Sequence, residues 1–80
     1  MPWRRARYVG DYYVELQYLP REEGGGWAVS VPDLPGCMSD GETIEEAVVN
    51  VQDAIACWID AARRLGRDVP KPVHVNLRRA

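Results

Sequence analysis

Three structural signals lie within one stretch of the chain, Val31-Pro32-Asp33-Leu34-Pro35-Gly36-Cys37-Met38-Ser39-Asp40-Gly41-Glu42-Thr43-Ile44-Glu45-Glu46-Ala47. The first is the end of a strand, because Pro32 has no N–H to donate to a β-ladder and a strand arriving at Val31 stops there. The second is a turn over residues 33–36, in which Gly36 is free to adopt a positive φ. The chain is therefore redirected before it returns through residues 37–39.

The third signal is the start of a helix. Asp40-Gly41 breaks the backbone again, and Thr43 followed three residues later by Glu46 forms a capping box. A helix is therefore expected to begin at about Ile44.

Two strands are predicted before this stretch. Apolar and polar residues alternate from residue 12 to residue 19, which places Tyr12, Val14, Leu16 and Tyr18 on one face. A second alternating run, residues 27–31, follows a loop at residues 20–26 that contains three consecutive glycines. Residues 37–39 are long enough for a short third strand. Residues 1–10 show no clear period and fit either an extended arm or a short helical turn.

A long amphipathic helix is predicted to cover the sheet from Ile44 to Leu65, since apolar residues recur there at three- and four-residue spacing. Pro70 and Pro72 prevent its continuation, and the alternation of Val73, His74 and the residues that follow predicts a C-terminal edge strand within residues 70–80. The expected fold is α+β, with a three-stranded antiparallel meander, one helix packed across it and a last edge strand, in the order βββαβ.

Length and composition indicate one small domain over residues 1–80. Hydrophobic residues make up 46% of the chain and charged residues 28%, which is ordinary for a globular protein and excludes a disordered one. No apolar run approaches the roughly 18 residues that a membrane span needs, so no membrane association is expected and the predicted location is the cytoplasm. The two cysteines, Cys37 and Cys57, belong to no CxxC motif and are interpreted as reduced packing thiols.

The net charge of −2 conceals an uneven distribution. Residues 1–10 carry +3, residues 11–60 carry −10 and residues 61–80 carry +5. Solvated faces of different sign would account for this pattern. An acidic surface also suits a basic partner, because complementary charge speeds encounter and rejects wrong partners.

The motif residues resemble the N-terminal domain of the HicB-like antitoxins, in which a Pro-Asp-Leu-Pro-Gly-Cys turn follows a strand and Gly-Asp/Glu-Thr precedes a helix. The ordered matches that are interpreted as determinants of the fold are Pro32, Asp33, Leu34, Pro35, Gly36, Cys37, Gly41, Thr43 and Glu46. The resemblance implies a truncated ribonuclease-H-like layout. It also implies a non-enzymatic antitoxin that binds and neutralises a small basic HicA-type mRNA-cleaving toxin.

Neither a catalytic nor a cofactor or metal site is predicted. A ribonuclease H site needs several acids that converge on metal ions, and the first predicted strand offers only Asp11 and Glu15. The single histidine, His74, has no cysteine or carboxylate cluster at ligand spacing.

Two sets of residues are candidates for protein contacts. The acids near the turn and the helix start that would face a toxin are Asp33, Asp40, Glu42 and Glu45. The outer helix positions that would face another copy in a homodimer or homotetramer are Val49, Asp53, Ala56 and Cys57.

Two other functions remain open. One is a free-standing homo-oligomeric interaction or scaffold domain of the same fold. The other is a nucleic-acid-binding module that uses the terminal arginines, Arg4, Arg5, Arg7, Arg78 and Arg79. Family members commonly carry a separate C-terminal DNA-binding domain, for which 80 residues leave no room, and the pI of about 5.3 is acidic. DNA binding by this chain alone is therefore not expected.

Overall fold

A computed structural model of the protein describes residues 4–72, which form a four-stranded sheet and one long helix. The strands are β1 (Arg4–Val9), β2 (Tyr12–Tyr18), β3 (Trp27–Ser30) and β4 (Met38–Gly41), and the helix is α1 (Ile44–Arg64). A short 3-10 helix at Arg21–Glu23 lies in the loop between β2 and β3. The α+β class predicted from the sequence is confirmed.

The sheet is antiparallel throughout, in the order β1-β2-β3-β4. Its first strand, β1, replaces the irregular arm or helical turn expected for residues 1–10. Val9 pairs with Tyr12, so a two-residue turn joins β1 to β2, and Gly10 opens it with φ of +62°. The sheet therefore has one strand more than the expected three-stranded meander, because β1 pairs with the outer edge of β2. The predicted C-terminal strand lies outside the described residues.

The predicted helix start is confirmed. The backbone N–H of Glu46 donates to Thr43 Oγ1 at 3.1 Å, and the Glu46 carboxylate accepts from the N–H of Glu42 at 2.9 Å. These contacts satisfy two donors near the end of the helix that have no partner within it. At the other end Gly66 takes φ of +71°, the left-handed conformation that commonly terminates a helix.

The core lies between α1 and the central strands. The buried side chains that form it are Val14, Leu16, Val29, Val31, Leu34, Cys37, Ala47, Val51 and Ile55. The expected apolar stripe of the helix faces this core, with two corrections. Leu65, which follows the last helical residue, is 68% exposed. Cys57 is exposed on the outer side of α1, so within residues 4–72 it is not a packing thiol.

The helix covers one face of the sheet and leaves the other open. Register places Val14, Leu16 and Val29 under the helix, so their neighbours along each strand point away from it. Among residues 4–72 the structure therefore has two layers, one helical and one sheet.

Candidate protein-binding surfaces

The turn after β3 is a closed loop held by its own backbone. Val31 N–H donates to the Cys37 carbonyl at 3.0 Å, Leu34 N–H to the Val31 carbonyl at 3.0 Å, and Cys37 N–H to the Leu34 carbonyl at 2.9 Å. These bonds direct Leu34 into the core, where it is fully buried. Burial also raises the pKa of the Cys37 thiol. The central part of the motif therefore builds the core.

The same turn is tied to the helix. The indole N–H of Trp58 donates to the Pro35 carbonyl at 2.9 Å. Gly36 follows with φ of +82°, a conformation that favours glycine. The two-proline turn therefore lies beside the second half of α1.

Gly41 permits close contact between β4 and the start of α1. A methyl group on Gly41 would collide with the backbone nitrogen of Ala47 and would lie 2.8 Å from the carbonyl carbon of Glu46. The helix backbone thus packs directly on the strand, which gives a physical reason for glycine at this position of the motif.

The candidate toxin-facing acids fall into two places. Asp40 and Glu42 line a small concavity of about 180 Å³ beside the glycines of the β2–β3 loop. Glu45 is exposed in the first turn of α1. Asp33 belongs to the turn that contacts Trp58, and Trp58 lies thirteen residues after Glu45 in α1, roughly 20 Å along the axis. Asp33 is therefore not part of the acidic group at the helix start.

The candidate oligomer-facing residues do share one surface. Val49, Asp53, Ala56 and Cys57 recur at helical spacing on α1, and all four are exposed, Val49 by 58%. The strand that carries the N-terminal arginines places Arg5 and Arg7 at an edge of the sheet, where both side chains are exposed.

Sequence reasoning missed a further surface, the open face of the sheet. Register brings Ala6, Glu15, Ser30 and Met38 into one row across the four strands, with Gln17, Ala28 and Asp40 in the adjacent row. The small side chains lie toward the middle and form the floor of a concavity of about 540 Å³. Met38 at its rim is 65% exposed.

Tyrosines occupy one end of this open face. The rings of Tyr8 and Tyr13 pack edge to face with centroids 5.8 Å apart. The Tyr13 hydroxyl donates to a Glu15 carboxylate oxygen at 3.4 Å. The pKa of Tyr13 is raised, mainly by desolvation and to a smaller extent by the negative charge of Glu15. Tyrosine and methionine are enriched in protein interfaces, so this composition suits protein contact.

Residues 4–72 contain no group of three histidine, cysteine or acidic side chains placed to hold a metal ion. Within the same range no helix combines the length and the apolar character required to span a bilayer.

The fold and its motif residues define a class, the HicB-like antitoxins of bacterial toxin-antitoxin systems, whose sequence profile the chain matches over residues 13–80. The chain belongs to this family, and the resemblance seen in the sequence is confirmed.

Three relatives illustrate the match. A UPF0150 protein of Thermoplasma acidophilum is 34% identical over 53 residues, which cover 66% of this chain and 77% of the relative. A UPF0150 protein of Synechocystis sp. is 40% identical over 53 residues, or 66% of this chain and 67% of the relative. Antitoxin HicB 2 of Photorhabdus laumondii is 40% identical over 47 residues, which cover 59% of this chain and 34% of that protein.

Proposed function

We propose that this chain is a non-enzymatic antitoxin that binds and neutralises a small basic HicA-type toxin that cleaves mRNA. Family membership across residues 13–80 is the observation that carries the proposal. Such a toxin acts where mRNA is translated, so the proposal places the antitoxin in the cytoplasm.

Charge supports a basic partner. Asp40, Glu42 and Glu45 are exposed at one end of the molecule, at the end of β4 and the start of α1. A cationic surface on the toxin would gain complementary contacts there, which chiefly raise the association rate and the specificity. Asp33 would contact the toxin only if the interface also extended along α1 to the turn near Trp58.

Co-expression tests the proposal. The genes that neighbour the one for this chain are searched for a small basic HicA-type protein, which is expressed in a host whose growth it stops. Co-expression of the antitoxin is expected to restore growth and to yield a co-purified complex. Failure to restore growth, with both proteins present at normal levels, would refute the antitoxin role.

A matched pair of charge reversals locates the contact. Glu42→Lys with Glu45→Lys is expected to weaken the complex, most strongly at low salt, because screening already reduces such attraction at high salt. Asp53→Lys with Asp60→Lys makes the same change in charge on the outer part of α1 and is expected to leave binding nearly unchanged. Circular dichroism of both variants is the control that tests whether they remain folded.

The alternative is a homo-oligomeric interaction domain of the same fold, and the uncovered sheet face favours it. This alternative predicts self-association without any neutralising activity. The growth assay separates the two, since only the antitoxin restores growth.

We also propose that the chain after Pro72 adds a C-terminal edge strand and completes the truncated ribonuclease-H-like layout. The Tyr12 hydroxyl donates to the Pro70 carbonyl at 2.9 Å, which brings the chain beside the β1–β2 hairpin. Slow amide hydrogen exchange within residues 73–77 is expected, whereas exchange at the rate of an unstructured peptide would contradict a strand.

A further inference from the structure

We propose that one end of the molecule binds single-stranded RNA through its phosphates. We call this surface the basic end. It consists of β1, the last turn of α1 and the segment after the helix, and its cations are Arg5, Arg7, Arg63, Arg64, Arg67 and Lys71. The choice of RNA rests on the proposed function, because the substrate of the toxin is mRNA. The charge argument concerns phosphates and does not depend on neutralisation of a toxin.

Two arginines of β1 point to the helix side of the sheet. Arg5 pairs with Leu16 and Arg7 pairs with Val14, and residues paired across an antiparallel ladder share a face. Leu16 and Val14 are buried in the core, whereas both arginines are exposed. The helix packs mainly against β4 and β3, so it leaves the outer strand β1 accessible on this side.

The segment after α1 brings a further cation to the same side. The Tyr12 hydroxyl donates to the Pro70 carbonyl at 2.9 Å, and Tyr12 lies on the helix side two residues before Val14. Successive residues on one face of a strand are roughly 7 Å apart. Lys71 follows Pro70 directly and therefore lies at the same corner of the sheet as Arg7.

A short stretch of chain joins the end of α1 to this corner. The Arg67 N–H donates to the Ala62 carbonyl at 2.8 Å, which holds Arg67 against the last turn of the helix, where Arg63 also lies. Pro70 follows Arg67 by three residues, and an extended chain of that length spans at most roughly 11 Å. The cations of the helix end and those of β1 therefore belong to one surface.

Acidic residues are concentrated at the opposite end. Asp40, Glu42 and Glu46 line the concavity beside the β2–β3 loop, at the start of α1, and we call this region the acidic end. Arg63 lies seventeen residues after Glu46, roughly 26 Å along the axis, whereas salt screens exposed charges beyond roughly 8 Å at physiological ionic strength. The acidic end therefore does not neutralise the basic end. The pI of about 5.3 averages the two ends and does not describe either surface.

The basic end keeps an excess of positive charge. The four acids near it are Asp11, Asp33, Asp60 and Asp68. Six cations therefore leave an excess of two positive charges, and Asp60 is already paired with Arg64 at 3.0 Å. In the sequence, residues 1–3 and 73–80 add two arginines and no acid. Contact with phosphates needs such cations and no element that reads bases.

The origin of the cations favours a single strand over a duplex. They come from a strand, a helix end and an irregular segment, so they do not form a straight row. A flexible strand can follow such a surface, whereas a duplex, with a persistence length of about 500 Å, contacts fewer of its cations.

Fluorescence anisotropy with the full chain and a labelled oligouridylate of about 12 nucleotides tests the proposal. Binding is expected at low salt. With three to five phosphate contacts, the logarithm of the association constant is expected to fall against the logarithm of the salt concentration with a slope of about −2 to −3.5. Absence of binding at low salt, or an affinity that does not depend on salt, would overturn the proposal. Tighter binding to duplex DNA of equal length would overturn the choice of RNA.

Substitutions of equal charge locate the contact. Arg7→Glu and Lys71→Glu are each expected to weaken RNA binding by about fivefold or more and to make the salt slope shallower by about 0.7. Arg21→Glu makes the same change in charge in the exposed β2–β3 loop and is expected to change the affinity by less than about twofold. Circular dichroism tests whether the variants are folded. Equal losses in all three folded variants would show that net charge alone governs binding and would overturn the proposal.

The growth assay separates this proposal from the proposed function. Because the toxin is assigned to the acidic end, Arg7→Glu is expected to lose RNA binding and still restore growth. Wild-type chain that restores growth but binds no RNA would overturn the RNA surface alone. Wild-type chain that binds RNA but does not restore growth would refute the antitoxin role and leave the RNA surface standing.

Discussion

Trp58 and Pro35 are joined by a hydrogen bond of 2.9 Å from the indole N–H to the backbone carbonyl, across 23 residues of sequence. This bond fixes the two-proline turn to α1. Replacement of Trp58 by phenylalanine keeps an aromatic ring but removes the donor. We expect the free energy of unfolding to fall by about 0.5–1.5 kcal/mol, as measured by urea denaturation. An unchanged denaturation midpoint would show that the bond contributes nothing.

The cap of α1 should have a measurable effect of its own. Thr43→Ala removes the hydroxyl that accepts from the Glu46 N–H and is expected to cost about 1 kcal/mol. Thr43→Ser retains the hydroxyl and serves as the matched control, with stability close to that of the wild type. Equal losses in the two variants would assign the effect to the methyl group of Thr43 and not to its hydrogen bond.

Alanine substitutions at Gly41 and Gly36 distinguish the energetic cost of a steric clash from the cost of a left-handed backbone conformation. Gly41→Ala drives a methyl group into the helix backbone, so we expect a loss of about 3 kcal/mol or more, or failure to fold. Gly36→Ala places its methyl group in open space and costs only the left-handed conformation, about 1–2 kcal/mol. Thermal denaturation of both variants gives the order, and a Gly36→Ala variant less stable than Gly41→Ala would contradict this account.

Leu34 is expected to contribute far more to the free energy of unfolding than its position in a turn suggests. Its side chain is fully buried, so Leu34→Ala is expected to lower the free energy of unfolding by about 2–5 kcal/mol. Leu65→Ala makes the same change at an exposed position and is expected to alter stability by less than about 0.5 kcal/mol. Similar losses at the two positions would mean that the turn does not contribute to the core in solution.

The two cysteines should differ in reactivity. Because burial raises the pKa of Cys37, the reactive thiolate is scarce at neutral pH, and reagents also have little access to it. Iodoacetamide is therefore expected to modify Cys57 alone in the native protein and both cysteines after denaturation, as determined by mass spectrometry. Modification of Cys37 first, under native conditions, would refute the buried position.

Local signals predicted the elements that local chemistry controls. The proline after Val31, the Thr43 cap and the helix period are each visible in a short window of sequence, and the structure confirms the strand end, the cap and the helix. The strand β1 was missed because arginines at residues 4, 5 and 7 interrupt any apolar period. The Gly10-Asp11 pair between apolar residues was the signal that could have revealed the hairpin.

The open face could not be predicted in the same way. Its concavity exists because register places Ala6, Ser30 and Met38 beside one another, although they come from three separate strands. Alternation within one strand identifies which residues point outward, but it does not show which outward residues of other strands become their neighbours.

The start of α1 packs against Gly41 of β4 at Ala47, and Trp58, eleven residues further and roughly 16 Å along the axis, donates a hydrogen bond to the Pro35 carbonyl of the turn. The helix can therefore slide or rotate over the strands only if both contacts break. On heating, the helix and the sheet are therefore expected to separate in one cooperative unfolding transition, and the exposed surfaces keep their arrangement until that transition.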